Sequence, residues 1–446
     1  MRWYLLGFVG IVGIAVAQQP VELTLSEAIR LAVERNPAVV VSRLEIRRAD
    51  ARVREAVGTA LPSLSLVAGY NRNLLLPVFF LPDFRNPQSG QLQAVRIGSE
   101  NSFQVQLQAT QVLFNQAVLT GIGVSQIYAQ AARKQYQAVV AQTVAGVKKA
   151  FYAALLSREL LQAAQASLQR VERFAQDTRV LASQGLIADY DALRAEVQVE
   201  QVRTLVAQAE LGYMAALRQL KLLIGLPQEQ PVELVGSLGT EYRPVEMPEE
   251  QELVQRVLGR NFQLQTLELQ EQVQHGIARI YRAESYPILV GFGSYAYQGQ
   301  SSTFSNFLTA RSAVVGVQFT VSLFQGFQTN ARVQQAELEQ QKLQQQREQL
   351  REAVKVQVLL ARQQAEVAQQ RIQATRSAVA QAERGYEIAR VRYSTGLGSQ
   401  LEVIDADAAI RQAQASYAQA LHDYLVAQVD IEALTGSIDP WLIQEF

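Results

Sequence analysis

The chemically active groups that recur at matched places in this sequence are carboxylates. Asp189 and Asp191 follow Gly185, and Glu402 and Asp405 follow Gly396. All four fall in predicted first turns of helices, where the macrodipole favours negative charge without any further function. Like carboxylates held close together also make a cation site. Other chemistry finds little to work with. The 446-residue chain has no cysteine, which removes disulfides, thiolate nucleophiles and Cys-ligated zinc. His275 and His422 lie far apart with no His-x-x-x-His pattern, and read as helix-surface residues rather than metal ligands. There is no G-x-x-x-x-G-K-[ST], Gly121 and Gly123 lack a third glycine, and no Ser/His/Asp set has a plausible context. The reading is a protein that is not an enzyme and uses no metal or cofactor.

Charge and leader narrow the class. Lys plus Arg and Asp plus Glu both number 41, so the net charge is zero and nothing favours nucleic acid. Residues 1–17 read as a signal peptide: one Arg, a short apolar run, then Ala15-Val16-Ala17 before Gln18. No later segment approaches 18 consecutive apolar residues. An exported chain of this kind enters a membrane only through closed β-structure.

The elements that carry the acids are written twice. Asn36 precedes Pro62 by 26 residues, and Asn261 precedes Pro287 by the same interval. After each proline comes a strand-like run, SLSLVAGY (63–70) and ILVGFGSY (288–295). Further on, VLFNQ (112–116) matches SLFQG (322–326), and RVLASQGL (179–186) matches RVRYSTGL (390–397). Repeat 1 covers 18–230, with a helix over 26–57, strands near 63–73 and 101–114, a long helix over 117–182 and a helix over 189–224. Repeat 2 covers 250–436, with a helix over 250–284, strands near 288–298 and 310–324, a long helix over 329–394 and a helix over 401–435. The Pro- and Gly-rich stretch 231–249 reads as a connector, and 437–446 as a tail. Gly185 and Gly396 mark helix-to-helix turns.

At 1.5 Å per residue the long helices are about 100 Å, matched by two shorter ones laid end to end. In 329–394, Val354, Val358, Ala361, Ala365, Ala368, Ile372, Thr375, Val379, Ala382, Tyr386, Ala389 and Tyr393 keep the period of a left-handed coiled coil.

The strands alternate. Phe103, Val105 and Leu107 oppose Gln104, Gln106 and Gln108; Val315, Val317, Phe319 and Val321 oppose a more polar set. A soluble sandwich strand shows the same alternation, but behind a signal peptide and with no second sheet to cover the apolar face, the pattern predicts one lipid-facing and one water-facing side. A transmembrane barrel needs at least eight strands, so the four in each chain predict closure by other copies, and three copies supply twelve.

Together these features resemble the outer membrane efflux protein family, the TolC-like channel-tunnels. The repeat order, LFNQ and LFQG at the strand ends, and TLSEAIRLAVERNP (24–37) carry the resemblance. It implies a mainly α fold with a small β part: a homotrimer with a twelve-stranded barrel in outer-membrane lipid and a periplasmic helical barrel. It also implies a passive exit channel for efflux or type I secretion. The implied partners are a periplasmic adaptor and an inner-membrane exporter of the resistance-nodulation-division or ABC type. YSTGLGSQLEVID (393–405) is similar to the family's gating segment, so Tyr393 takes the place of the gating tyrosine, and Glu402 and Asp405 those of the constriction acids. Asp191 takes the place of the acid engaged by a gating arginine, but Gly398 stands where that arginine would be. The rival reading is a periplasmic coiled-coil adaptor or tether, which would lack the paired strands.

Overall fold

The computed structural model describes residues 21–82 and 90–437. The expected signal peptide, 1–17, and nearly all of the expected tail, 438–446, lie outside the described residues. The chain is mainly α with a small β part, and its elements repeat with matched lengths. Helices α1 (Leu25–Arg35) and α2 (Pro37–Gly58) have 11 and 22 residues. Their counterparts α6 (Glu250–Arg260) and α7 (Phe262–Ala283) have the same 11 and 22. The long helices α3 (Gln116–Ser183) and α8 (Gln328–Ser394) have 68 and 67 residues. The helices that follow them, α4 (Asp189–Ile224) and α9 (Gln400–Thr435), have 36 each.

Where one helix was expected at the start of each repeat, there are two, and an asparagine divides them. Asn36 Oδ1 accepts from the Ala38 amide at 2.9 Å, and its Nδ2 donates to the Leu223 carbonyl at 2.8 Å. Asn261 Oδ1 accepts from Gln263 and Leu264 at 3.0 and 3.1 Å, and its Nδ2 donates to the Leu434 carbonyl at 3.2 Å. Each asparagine therefore caps the second helix while satisfying a carbonyl at the end of α4 or α9 that has no helical partner. Pro37 reinforces the first break because it fits the first position of a helix but not its interior. The second break has phenylalanine there, so the asparagine suffices.

The connector also has structure of its own. Strand β1 (Val21–Leu23) pairs in parallel with β6 (Val232–Leu234). The short helix α5 (Leu238–Glu241) begins at a Ser237 capping box. Arg158 Nη1 donates to the Leu234 carbonyl at 2.6 Å, and Glu159 Oε1 accepts from the Leu238 amide at 2.9 Å. Burial pushes the Glu159 carboxyl above its ordinary value, and the Leu238 N–H partly offsets this.

The chain forms two compact units, and these are not the two repeats. One takes residues 1–44, 134–265 and 348–446; the other takes 45–133 and 266–347. Each draws from both repeats, because each repeat sends the strands of the four-stranded sheet to one unit and most of its helical residues to the other. In the helical unit, Leu253 and Val257 of α6 pack on Val354 and Val358 of α8. One window of α3 reaches mean hydropathy 1.2, enough by length and composition for a membrane span, with 44 % of it buried in the chain. In the other unit, β2 (Ser63–Arg72), β5 (Asn101–Phe114), β7 (Ile288–Ser301) and β8 (Leu308–Thr320) form one antiparallel sheet in that order. Strands β3 (Val78–Pro82) and β4 (Leu92–Arg96), not foreseen from sequence, make a separate hairpin.

Replacing Asn36 or Asn261 by Ala removes both a cap and a carbonyl partner. Each substitution should lower stability by about 1–2 kcal/mol, read from the guanidinium midpoint in detergent. The corresponding Asp variants keep the cap but lose the amide donor, and should fall between.

Candidate functional site

The sheet sorts its residues by register. Directly opposed residues of an antiparallel pair share a face. Leu107 lies opposite Leu66 and Tyr295, and Val105 opposite Ala68 and Tyr297. Tyr295 lies opposite Ala313, Gly293 opposite Val315, Gly291 opposite Val317, and Leu289 opposite Phe319. Phe103, Val105, Leu107, Val315, Val317 and Phe319 thus stand on a single apolar face that crosses all four strands. The pairing shifts between Val112 and Phe114, so that Phe114 meets Leu289 and rejoins this face. Val321 does not belong to it: β8 ends at Thr320, opposite Ile288. The next partner would be Pro287, which has no N–H to offer the ladder.

The other face is mixed: glutamines, serines and threonines share it with Val67, Val290, Phe292 and Val314, and some of its polar groups bond to one another. Gln104 Nε2 donates to Gln106 Oε1 at 2.9 Å, and the Ser63 and Thr110 hydroxyls are 2.5 Å apart. Among the described residues, strand β2 pairs only with β5, and β8 only with β7, so both outer edges of the sheet are open there.

The acids lie where four helices meet. Val171, Phe174 and Ala175 of α3, Ala195, Val199 and Val202 of α4, Tyr386 and Ala389 of α8, and Val403 and Ile410 of α9 form one buried cluster. The turns into α4 and α9 are alike. Gly185 and Gly396 have φ of +73° and +75°, and the amides of Leu186 and Leu397 reach back to Leu181 and Arg392 at 3.0 and 2.8 Å.

Tyr393 packs into this cluster, its ring 5.0 Å from that of Phe174. The hydroxyl is buried beside Thr178 without completing a hydrogen bond. Burial pushes it above the ordinary tyrosine range; Thr178 opposes the rise and Asp191 adds to it. Asp191 is half-buried, and its backbone carbonyl accepts from Gln400 Nε2 at 2.9 Å. Glu402 serves its own helix: Ser399 Oγ accepts from its amide, its Oε1 accepts from the Ser399 amide at 3.2 Å, and Arg392 lies 3.4 Å away. Asp405 is exposed and unpaired among the described residues. Tyr393, Asp191 and Gln400 are thus brought together, Glu402 is held in its cap, and Asp405 faces outward. A side chain at Gly398 is excluded in this turn, since a Cβ would lie 2.9 Å from the Arg392 Cβ.

The model of the outer membrane efflux protein family matches residues 28–226 and 253–437. The chain belongs to that family. Outer membrane protein TolC of Salmonella enteritidis is 22 % identical over 412 residues, 91 % of this chain and 80 % of that one. Protein CyaE of Bordetella pertussis is 26 % identical over 330 residues, 72 % of this chain and 64 % of that one. The fold is similar to that of the Campylobacter jejuni CmeC outer membrane channel, with a TM-score of 0.75 at 15 % identity, covering 92 % of this chain and 85 % of that one. It is also similar to outer membrane protein VceC of Vibrio cholerae, with a TM-score of 0.72 at 15 % identity, covering 92 % and 96 %. As an outer membrane efflux protein, the chain is an export channel of the outer membrane.

One feature of this outer membrane efflux protein escaped the sequence reading. The Asp407 side chain is 2 % exposed and ion-paired with Arg170 of α3 at 2.7 Å and with Arg411 one turn along α9. Ser167 Oγ donates to its Oδ2 at 2.6 Å. Asp407 also adds to the rise that burial imposes on the Tyr386 hydroxyl. The signal was present, because Val403, Asp407 and Ile410 are spaced four and three apart and put an acid in an apolar seam.

Two tests follow from this geometry. Val315→Arg, midway along the apolar face, should cost on the order of 2–4 kcal/mol of folding in vesicles, whereas Gln106→Arg on the opposite face should assemble normally. Equal damage from both would reverse the faces. Asp407→Ala leaves two guanidinium groups without their anion. Each is only partly exposed, so the loss should be about 2–3 kcal/mol in guanidinium melts, below that for a fully buried pair.

Proposed function

We propose that three copies of this chain form a passive duct through the outer membrane that continues into a helical barrel in the periplasm. A periplasmic adaptor opens the duct, and an inner-membrane exporter of the resistance-nodulation-division or ABC type drives cargo into it. The observation that carries this reading is the four-stranded sheet, with its single apolar face and the open edges of β2 and β8. In lipid those edges need partners. Two copies would close eight strands, whose inward side chains fill the interior, while three close twelve and leave a lumen. The lumen face carries Gln104, Gln106 and Gln108, which are neutral, so transport relies on the pump for direction and on no catalytic group or cofactor of this chain.

Three-fold symmetry turns each tip acid into a ring. Because Glu402 is engaged with Ser399 and Arg392, Asp405 supplies the more available ring, and cations bind there by like-charge relief. Closure rests on the packing of Tyr393 against Phe174, since Gly398 provides no cationic side chain.

Native mass spectrometry of detergent-extracted protein should give a homotrimer; a folded, monodisperse monomer would overturn the architecture. In planar bilayers, divalent cations added on the tip side should block conductance. Asp405→Asn should relieve the block more than Glu402→Gln, and a block unchanged in the double variant would remove the acids from the gate. Tyr393→Ala should raise resting conductance more than Tyr393→Phe, because the hydroxyl has no bonded partner to lose.

A further inference from the structure

The sheet of β2, β5, β7 and β8 carries two charged residues, and both are arginines: Arg72 and Arg311. Both stand on the apolar face. Arg72 continues the row of Leu66, Ala68 and Tyr70, and Arg311 that of Ala313, Val315 and Val317. Both are exposed, and neither has an ion pair among the described residues. Glu100, the acid next to β5, gives its backbone carbonyl to the Asn73 amide at 2.7 Å.

Their height along the strands is specific. From Arg311 to Phe319 the apolar face runs for eight residue steps towards the helices. At about 3.4 Å per step and a tilt of about 40° this is about 21 Å of height, close to the apolar band of an outer-membrane barrel. Arg311 therefore falls at the loop-side boundary of that band, and Arg72 lies four residue steps farther along the register in the same direction. Aromatic rings gather at the same level. The Arg311 guanidinium is 5.8 Å from the Tyr297 ring, Phe103 is 5.5 Å from Tyr297, and Tyr70 is 6.0 Å from Phe304. Such a girdle marks a membrane–water interface. A guanidinium there, unpaired by the protein, presents a planar fork that matches a phosphate.

We propose that Arg311 and Arg72 clamp phosphate groups of outer-leaflet lipids, with Arg311 gripping at the acyl boundary and Arg72 farther out. The occupant is a lipid phosphate rather than free phosphate, because the apolar surface adjoining Arg311 on the helix side needs acyl chains to cover it. The inference rests on the membrane reading of the sheet.

The test counts lipids retained by the assembled, full-length protein. The protein is inserted into phosphatidylcholine vesicles containing a minor fraction of phosphatidic acid, extracted, and examined by native mass spectrometry. Wild type should retain phosphatidic acid preferentially. Arg311→Gln and Arg72→Gln should each reduce the preference on the order of five-fold, Arg311→Lys should keep most of it, and excess inorganic phosphate should not displace the lipid. A wild-type channel that inserts and conducts but shows no preference overturns the clamp alone, as does undiminished preference in the double Gln variant or displacement by inorganic phosphate. Failure of wild type to insert at all would instead overturn the membrane reading, and the clamp with it. If the Gln variants do not assemble, the wild-type preference and the phosphate competition still decide.

Discussion

Every backbone amide and carbonyl placed in hydrocarbon must find a partner, because an unmade hydrogen bond there costs several kcal/mol. A four-stranded sheet with open edges at β2 and β8 does not meet that condition alone. Much of the rest of the chain can be understood from this requirement. Twinned repeats supply two strands apiece, and a register places Leu66, Leu107, Tyr295 and Ala313 on one side of the sheet. The shift at Leu113 returns Phe114 to that side just before the chain enters α3. A one-residue slip would carry the glutamines to the apolar side instead, so register and membrane compatibility are one constraint.

The helices obey a different rule. Their seams use small residues, Ala361, Ala365 and Ala368 among them, which are buried and allow close approach of neighbouring backbones. Leucine-rich seams would hold long helices more tightly; small residues leave packing that depends on contact geometry along the whole length. Against that seam, Asp407 with Arg170, Ser167 and Arg411 is a buried polar register mark joining α9 to α3, and the more exposed pairs Lys148–Glu432 and Lys149–Asp430 bridge the same two helices. A buried ion pair of this kind contributes little net stability, but any sliding of one helix past the other strips it of its partners.

The helix turns at Gly185 and Gly396 show how one acidic motif divides into different roles. Glu402 and Asp405 are three residues apart, yet one is consumed by a capping box and an arginine while the other faces outward. The corresponding start of α4 has Ala188 at its cap with no side-chain bond, and Gln400 reaches across to the Asp191 carbonyl. Gly398 is required by the close return of the chain onto Arg392, so the missing arginine reflects the geometry of this turn as well as its charge.

The sequence by itself determined the repeat, the lengths of the long helices and of the helices after them, the glycine turns and the alternation of the strands, because each depends on neighbours within a turn or two or on alternate residues. It also located Tyr393, Asp191, Glu402 and Asp405 on those elements. It marked Asn36 and Asn261 only as repeated landmarks. Their role as helix breaks appeared once Leu223 and Leu434, 187 and 173 residues away, were seen to receive their amides. The end of β8 at Thr320 depended on a proline in another strand's approach, and the burial of Asp407 on which residues of α3 came to face it. The division of the chain into two units that each mix both repeats was likewise a tertiary outcome. Local periodicity says which side of an element is apolar; only the folded chain decides what that side meets.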